Sequence, residues 1–293
     1  AFGAHGMSLE VGADHAARMV AELGSPRFDL GLMQLRDVRS VHLLGGGYLN
    51  SVWENHLLLL PALVTLKERF EVPIYATGQG MLPLSERARE MVPGWVSRFD
   101  LFETRDASSA EIVGGDAGID DAFLAFANRR DLYSTAQTPD VMLLIQGDFV
   151  AQEMTDALVD AAEQFVRARG GGPIGLVESI PPDDSWILPR LRERGIDVDF
   201  HPFTRVWLDG LPAREGQTWL TTRFHFHLLA AAAGASGAVI ELHPEYYGVK
   251  HGSLRDLGTG WAYTDEIASA GALEPTVNAG FPASIRRLAA PNV

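Results

Sequence analysis

The feature that most constrains the fold is a repeated alternation of short apolar runs, each ending in glycine or a polar turn, with helical segments between them. The clearest runs are SVHLL (40–44), VPIYATGQG (72–80), VMLLIQG (141–147), GPIGLVES (172–179) and AVIEL (238–242). Strands that end in turns and are followed by helices are typical of parallel, doubly wound sheets. The alternation therefore predicts an α/β chain.

The alternation is interrupted once, at the polar and turn-rich segment DLYSTAQTPD (131–140). We therefore predict two Rossmann-like domains, residues 1–135 and residues 136–293. Ligands of such sheets bind beyond the carboxyl ends of the strands, which in a two-domain chain favours the cleft between the domains. The chain opens with AFGAHGMSLEVGADHAAR rather than with a strand, so we expect the first domain to lack its first strand.

Composition narrows the function classes. The formal net charge of −14 argues against binding to nucleic acid or to an anionic membrane surface. The chain has no cysteine, which excludes disulfides and thiolate metal sites. It has no HExxH motif, and DVD (197–199) lies inside an apolar strand pattern, so no metal site is predicted. No apolar run reaches about 18 residues. We expect no transmembrane segment and a cytoplasmic location, with the inner face of the membrane and a homo-oligomer left open.

The stretch TTRFHFHLLAAAAG (221–234) places charged groups where a helix begins. Thr222 is expected to cap this helix, and Arg223 with the exposed N–H groups would bind a carboxylate or phosphate. His225, in the first turn, would hold or donate a proton beside the anion. His227 lies about 200° around the helix and should face the other way. The alternative is a surface arginine with two partly buried histidines.

Two glycine loops follow the first two strands. Gly45, Gly46 and Gly47 end the first apolar run, and Gln79 lies in the GQG loop after the second. Glycines allow a ligand to approach the backbone, but they also form tight βα turns, and both interpretations stay open. Neither GxGxxG nor GK[ST] is present, so neither nucleotide-binding fingerprint is met.

Taken together, these motifs resemble those of the polysaccharide pyruvyl transferase family. The matching segments follow the family's order along the chain: HLLGGGYLN (42–50), IYATGQGMLPLS (74–85), FETRDASS (102–109), TTRFHFHLLAAAAG (221–234) and YYGVKHGSLRDLG (246–258). The resemblance implies a GT-B-like pair of Rossmann-type domains with the site between them. It also implies an enzyme that transfers a pyruvyl group from phosphoenolpyruvate to a sugar, usually as a ketal.

The resemblance further implies roles for individual residues. Arg223 and His225 would engage phosphoenolpyruvate, which is a substrate, so no cofactor is expected. The acceptor would be a glycan or glycolipid of the cell envelope or of an exported polysaccharide. The residues expected to bind substrate are Gly45, Gly46, Gly47, Gln79, Arg105, Tyr247 and Lys250.

One departure from the family pattern bears on the donor. Many members end the first strand of the second domain in arginine, whereas this chain has Gln146. Either donor binding is altered or another arginine, such as Arg205, takes over. Two other functions remain open: a GT-B glycosyltransferase that uses a nucleotide sugar, and a non-catalytic sugar-binding relative.

Overall fold

A computed structural model of the chain describes residues 6–128, 132–148, 150–243 and 248–289. It divides into two compact units, Ala1–Ala122 and Phe123–Val293, each built on a parallel sheet. None of the helices formed by these residues is long and apolar enough to cross a membrane.

The described residues of the first unit form four strands in sequential order, β1-β2-β3-β4, all parallel. Its described part begins with helix α1 and not with a strand. The elements are α1 (Leu9–Ala21), α2 (Leu30–Leu35), β1 (Val41–Leu43), a 3-10 helix (Ser51–Leu58), α3 (Leu59–Phe70), β2 (Ile74–Gln79), α4 (Glu86–Val96), β3 (Leu101–Thr104), α5 (Ala107–Val113) and β4 (Asp116–Ala117).

Local sequence explains where the helices of this unit begin. The side chains of Ser8, Ser85 and Asp106 accept hydrogen bonds from backbone N–H groups at the starts of α1, α4 and α5. The apolar faces of α1 and α3 pack together, with Leu58 and Leu60 inside the core of this unit.

In the second unit, the residues that the structure describes form six parallel strands in the order β10-β9-β8-β5-β6-β7. A 3-10 turn (Asp121–Phe123) spans the division between the units. The elements that follow it are α6 (Leu124–Asn128), β5 (Val141–Leu144), α7 (Gln152–Arg167), β6 (Ile174–Val177), a 3-10 turn (Asp183–Ser185), α8 (Ile187–Glu193), β7 (Val198–His201), α9 (Phe203–Asp209), β8 (Thr218–Thr221), α10 (Phe224–Ala232), β9 (Ser236–Ile240), α11 (Val249–Asp256), β10 (Ala262–Thr264), α12 (Ile267–Ala270) and α13 (Phe281–Ala289).

This strand order is that of the Rossmann fold. Counted from β5 as the first strand, the sheet runs 3-2-1-4-5-6, and the chain returns to the centre between β7 and β8. The central strands are buried on both faces, as the continuous apolar runs predicted. The α/β class and the two Rossmann-like units are thus confirmed.

The boundary between the units lies earlier than the sequence predicted. The segment 131–140 was expected to be a linker, but its described residues belong to the second unit. Backbone hydrogen bonds join Leu132 and Ser134 to Leu211. The buried amide of Gln217 donates to Thr138 Oγ1 at 2.9 Å and to the carbonyl of Pro139 at 2.8 Å. Hydrogen bonds thus tie this segment to the second unit, although residues 135–137 and Asp140 are exposed, and the division falls after Ala122.

Candidate functional site in the second unit

The strand order of the second sheet creates a topological switch point between β5 and β8. From β5 the chain crosses to β6 on one side, and from β8 it crosses to β9 on the other. Helices that leave two adjacent strands in opposite directions open a crevice at the carboxyl ends of those strands, where ligands of this fold bind. Residues 145–148 follow β5 and residues 222–223 follow β8, so these two segments form the centre of the candidate site.

Arg223 stands at this switch point, immediately before α10, and two carboxylates bind it. Its Nη2 donates to Asp148 Oδ1 at 2.5 Å and to Asp184 Oδ1 at 2.5 Å, and its Nη1 donates to Asp148 Oδ2 at 3.3 Å. Within the described part of the chain, its Nε has no hydrogen-bond partner. Burial lowers the pKa of Arg223, but the hydrogen bond and charge of Asp184, followed by those of Asp148, outweigh it and raise the pKa. The guanidinium therefore stays charged.

The two carboxylates differ in how firmly they are held. The side chain of Asp184 is fully buried, whereas that of Asp148 is 24% exposed. Asp184 also accepts backbone N–H groups from Ser179 at 3.1 Å, from Ile180 at 3.0 Å and from Gly147 at 3.2 Å. The carboxylate of Asp148 makes hydrogen bonds only to Arg223 among the described residues. Asp184 is thus the more firmly held of the two carboxylates, and Asp148 is the more accessible one.

Hydrogen bonds join the ends of β5 and β8 directly. The backbone N–H of Gln146 donates to Thr222 Oγ1 at 2.9 Å, and Gln146 Nε2 donates to the carbonyl of Asp148 at 2.9 Å. Gln146 is fully buried, and its Oε1 has no partner within the described residues. Thr222 was expected to cap α10, but its hydroxyl binds the neighbouring strand instead, and the residue at the N-cap is Arg223.

The loop that carries Asp184 passes so close to residue 147 that this residue must be glycine. A Cβ atom at this position would lie 1.9 Å from the carbonyl oxygen of Asp183. No side chain fits there, so only glycine allows the loop after β5 and the loop after β6 to converge on Arg223.

The two histidines of α10 face in opposite directions, as their spacing predicted. His225 is exposed, whereas His227 is fully buried. His227 Nδ1 lies 3.1 Å from Nδ1 of His251, its Nε2 lies 2.9 Å from Thr259 Oγ1, and its ring stacks on Trp261 with centroids 4.8 Å apart. Burial, with the charges of His251 and Arg255, lowers the pKa of His227 well below 6.5. His227 is a core residue that joins α10 to α11.

The last motif is only partly described. Tyr247 lies outside the described residues. Lys250 lies in the first turn of α11 and is half-buried. Near the carboxyl end of β9, the buried Glu241 pairs with Arg255, whose guanidinium carbon lies 3.7 Å from the centre of the Tyr263 ring.

Predicted residues of the first unit

The glycine loops of the first unit pack against each other. A Cβ atom on Gly45 would lie 2.9 Å from the carbonyl oxygen of Gly78, and one on Gly46 would lie 2.8 Å from the ring of Tyr48. Gly78 has a φ of +58°, and a Cβ atom there would lie 2.7 Å from the backbone N of Asp121. These contacts give Gly45 and Gly46 a packing role, and the carbonyl of Gly47 accepts a hydrogen bond from Asn50. Whether these glycines also contact substrate stays a prediction.

Gln79 holds this loop from within. Its Nε2 donates to the carbonyl groups of Leu43 at 3.1 Å, Leu44 at 2.9 Å and Thr77 at 2.9 Å, and the residue is fully buried. The amide thus fixes the end of β1 against the end of β2. A role in binding substrate remains a prediction.

Arg105 forms a buried ion pair. Its Nη1 donates to Asp120 Oδ2 at 2.9 Å, and both side chains are 2% exposed. The guanidinium also packs over Gly80, where a Cβ atom would lie 2.6 Å from it. The neighbouring Asp106 caps α5 through Ser109. The turn formed by Arg105, Asp106 and Ser109 therefore has a structural role, and binding of substrate by Arg105 stays a prediction.

Sequence reasoning missed the residues that organise Arg223. Asp148 lies two positions beyond the predicted strand end at Gln146, and Asp184 lies in the PPDDSW turn after β6. An aspartate next to a glycine at a strand end is a usable signal, but Asp184 is separated from Arg223 by 39 residues. The convergence of the two depends on the order of the strands, which no local pattern encodes.

Comparison with known proteins

No protein-family model matches the sequence. No curated protein matches it either. Among solved structures, the chain is similar to a protein of Listeria monocytogenes described as a UDP-N-acetylglucosamine 2-epimerase. The two share 10% sequence identity with a TM-score of 0.50, and the match covers 97% of this chain and 79% of the other. At this identity the likeness concerns the fold alone, which is GT-B-like with two Rossmann-like domains.

Proposed function

We propose that the protein is a transferase that moves a pyruvyl group from phosphoenolpyruvate to two hydroxyls of a sugar in a glycan or glycolipid. The observation that carries the proposal is the position of Arg223. It stands at the switch point of a Rossmann-type sheet and at the start of α10, and Asp184 fixes its orientation. A planar guanidinium at the start of a helix suits the carboxylate or phosphate of this donor.

The reaction needs groups that this site supplies. A proton adds to the methylene carbon of phosphoenolpyruvate, and two sugar hydroxyl oxygens bond to the adjacent carbon as its bond to the phosphate oxygen breaks. Both sugar hydroxyls lose their protons. One of these protons makes up for the hydrogen that the new methyl group has gained, and the other leaves with phosphate. Arg223 binds the donor, and His225, exposed in the first turn of α10, donates the proton to carbon.

The test is a measurement of phosphate released from phosphoenolpyruvate in the presence of methyl glycosides of galactose, mannose and N-acetylglucosamine. Mass spectrometry of the glycoside should then detect the pyruvyl ketal. Arg223→Lys keeps the charge but loses the planar fork, so we expect the KM for phosphoenolpyruvate to rise about tenfold or more.

A matched control is Arg190→Lys, because Arg190 forms an exposed ion pair with Asp156 on the helical surface. It should leave KM unchanged. If the Arg223 and Arg190 variants had the same KM for phosphoenolpyruvate, Arg223 would not be a donor-binding residue. If no sugar acceptor increased the release of phosphate, the proposal of pyruvyl transfer would be rejected.

A second candidate is an enzyme that acts on a nucleotide-linked sugar. Two observations favour it: the 3-2-1-4-5-6 strand order, whose switch point binds dinucleotides in other proteins, and the fold likeness to a protein described as a UDP-N-acetylglucosamine 2-epimerase. Calorimetric titration with UDP and with UDP-N-acetylglucosamine, beside phosphoenolpyruvate, separates the two candidates. Binding of the UDP compounds alone would favour the second.

A further inference from the structure

Asp148 binds Arg223 in the way that a ligand carboxylate would. Both of its oxygens face the guanidinium, with Oδ1 2.5 Å from Nη2 and Oδ2 3.3 Å from Nη1. Two parallel N–H···O bonds are the preferred geometry of an arginine with a carboxylate from any source. The part of the guanidinium that could bind an incoming carboxylate is therefore occupied by a side chain of the protein.

The surroundings show which of the two carboxylates can leave. Asp184 is fully buried and also accepts three backbone N–H groups, so its removal would leave those donors without an acceptor. Asp148 is 24% exposed, and its carboxylate has no other hydrogen bond among the described residues. Rotation of Asp148 toward water breaks only its bonds to Arg223, and an incoming carboxylate would restore them.

The local charge favours this displacement. One guanidinium between two carboxylates carries a formal net charge of −1, which opposes the approach of a second anion at close range. If Asp148 turns away, a ligand carboxylate restores the present arrangement without adding charge next to Arg223.

We propose that Asp148 is an internal ligand that occupies the carboxylate-binding position of Arg223, and that a small carboxylate binds by displacing it while Asp184 holds the guanidinium in place. The identification of this carboxylate as that of phosphoenolpyruvate rests on the proposed function. The displacement itself does not.

The experiment is calorimetric titration of the wild-type protein and of Asp148→Asn and Asp148→Ala with pyruvate and with phosphoenolpyruvate. Asp183→Asn is the matched control, because it removes the same charge from an exposed neighbour of Asp184. Both Asp148 variants should bind each carboxylate about tenfold more tightly than the wild type, since one less carboxylate at ion-pair distance is worth at least that factor. Asp183→Asn should bind as the wild type does.

Equal tightening in Asp183→Asn would indicate a long-range charge effect and overturn the proposal. Weaker binding in both Asp148 variants would mean that Asp148 positions Arg223 for the ligand, and this result would also overturn the proposal. A failure of every variant to bind either carboxylate would overturn it as well. Circular dichroism establishes that each variant is folded. Tighter binding of pyruvate by the Asp148 variants, without turnover of phosphoenolpyruvate by the wild type, would support the displacement and reject only the proposed function.

Discussion

Asp184→Asn tests whether Asp184 is the fixed element of the switch point. The substitution keeps the size of the side chain but replaces one carboxylate oxygen with an amide nitrogen. In the wild type, Oδ2 accepts the N–H groups of Ser179 and Ile180, and Oδ1 accepts that of Gly147 and Nη2 of Arg223. Asparagine has one acceptor oxygen, so whichever way its amide turns, two of these four donors face an NH₂ group.

The structure sets the size of the effect. Two lost hydrogen bonds to a charged acceptor cost about 1.5 kcal/mol each, or about 3 kcal/mol together. Breaking a buried ion pair costs about 3–5 kcal/mol. Because Asp148 still pairs with Arg223, we expect the lower end, a loss of about 3 kcal/mol in the free energy of unfolding of the second unit. With a urea m-value of about 3 kcal/mol/M, the midpoint should fall by about 1 M.

The assay is urea denaturation, with hydrogen exchange of peptides from β5 and β8 to assign the transition to the second unit. Asp183→Asn is the control, since the side chain of Asp183 is exposed and should tolerate the change within about 0.5 kcal/mol. In an Arg223→Met background the same Asp184 substitution should lower the free energy of unfolding by less, because the guanidinium that pairs with the carboxylate is absent. Equal midpoints for the Asp183 and Asp184 variants would refute a structural role for Asp184.

Two further predictions concern the histidines of α10. His225→Gln should lower kcat by about 10²–10⁴-fold with little change in the KM for phosphoenolpyruvate, because a proton donor acts only in the chemical step; a raised KM at unchanged kcat would assign it to binding instead. The lowered pKa of His227 means that below pH 6.5 the unfolded chain binds more protons than the folded one. Stability should therefore be full above this pH and fall as the pH drops, by up to about 1.4 kcal/mol per pH unit for this group. His227→Asn should flatten that part of the urea-unfolding profile, and an unchanged slope would contradict the assignment.

The sequence predicted the elements that are buried and continuous. Strands β5, β6 and β9 lie within apolar runs because both of their faces are covered. Strand β10 was missed because it is short and Tyr263 in its middle is 53% exposed. Helix α9 was missed because Trp207 and Leu208 are exposed and leave no amphipathic pattern.

The candidate site was predictable only in part. The position of Arg223 at the start of a helix and the opposite faces of His225 and His227 follow from local pattern and helix geometry. The partners of Arg223 do not, because they come from the ends of two other strands. Their convergence requires that β5 lie next to both β6 and β8, and that order is set by packing of the whole sheet.

Two arginines that follow strands in this chain show how side-chain exposure distinguishes a binding role from a structural role. Arg105 follows β3 and Arg223 follows β8, and each pairs with aspartate. Arg105 and Asp120 are both 2% exposed, so their ion pair is closed to solvent. The side chain of Arg223 is 12% exposed, and its more accessible partner Asp148 is 24% exposed. A ligand can therefore exchange with Asp148 at little structural cost, which makes Arg223 the stronger candidate for contact with an anionic substrate.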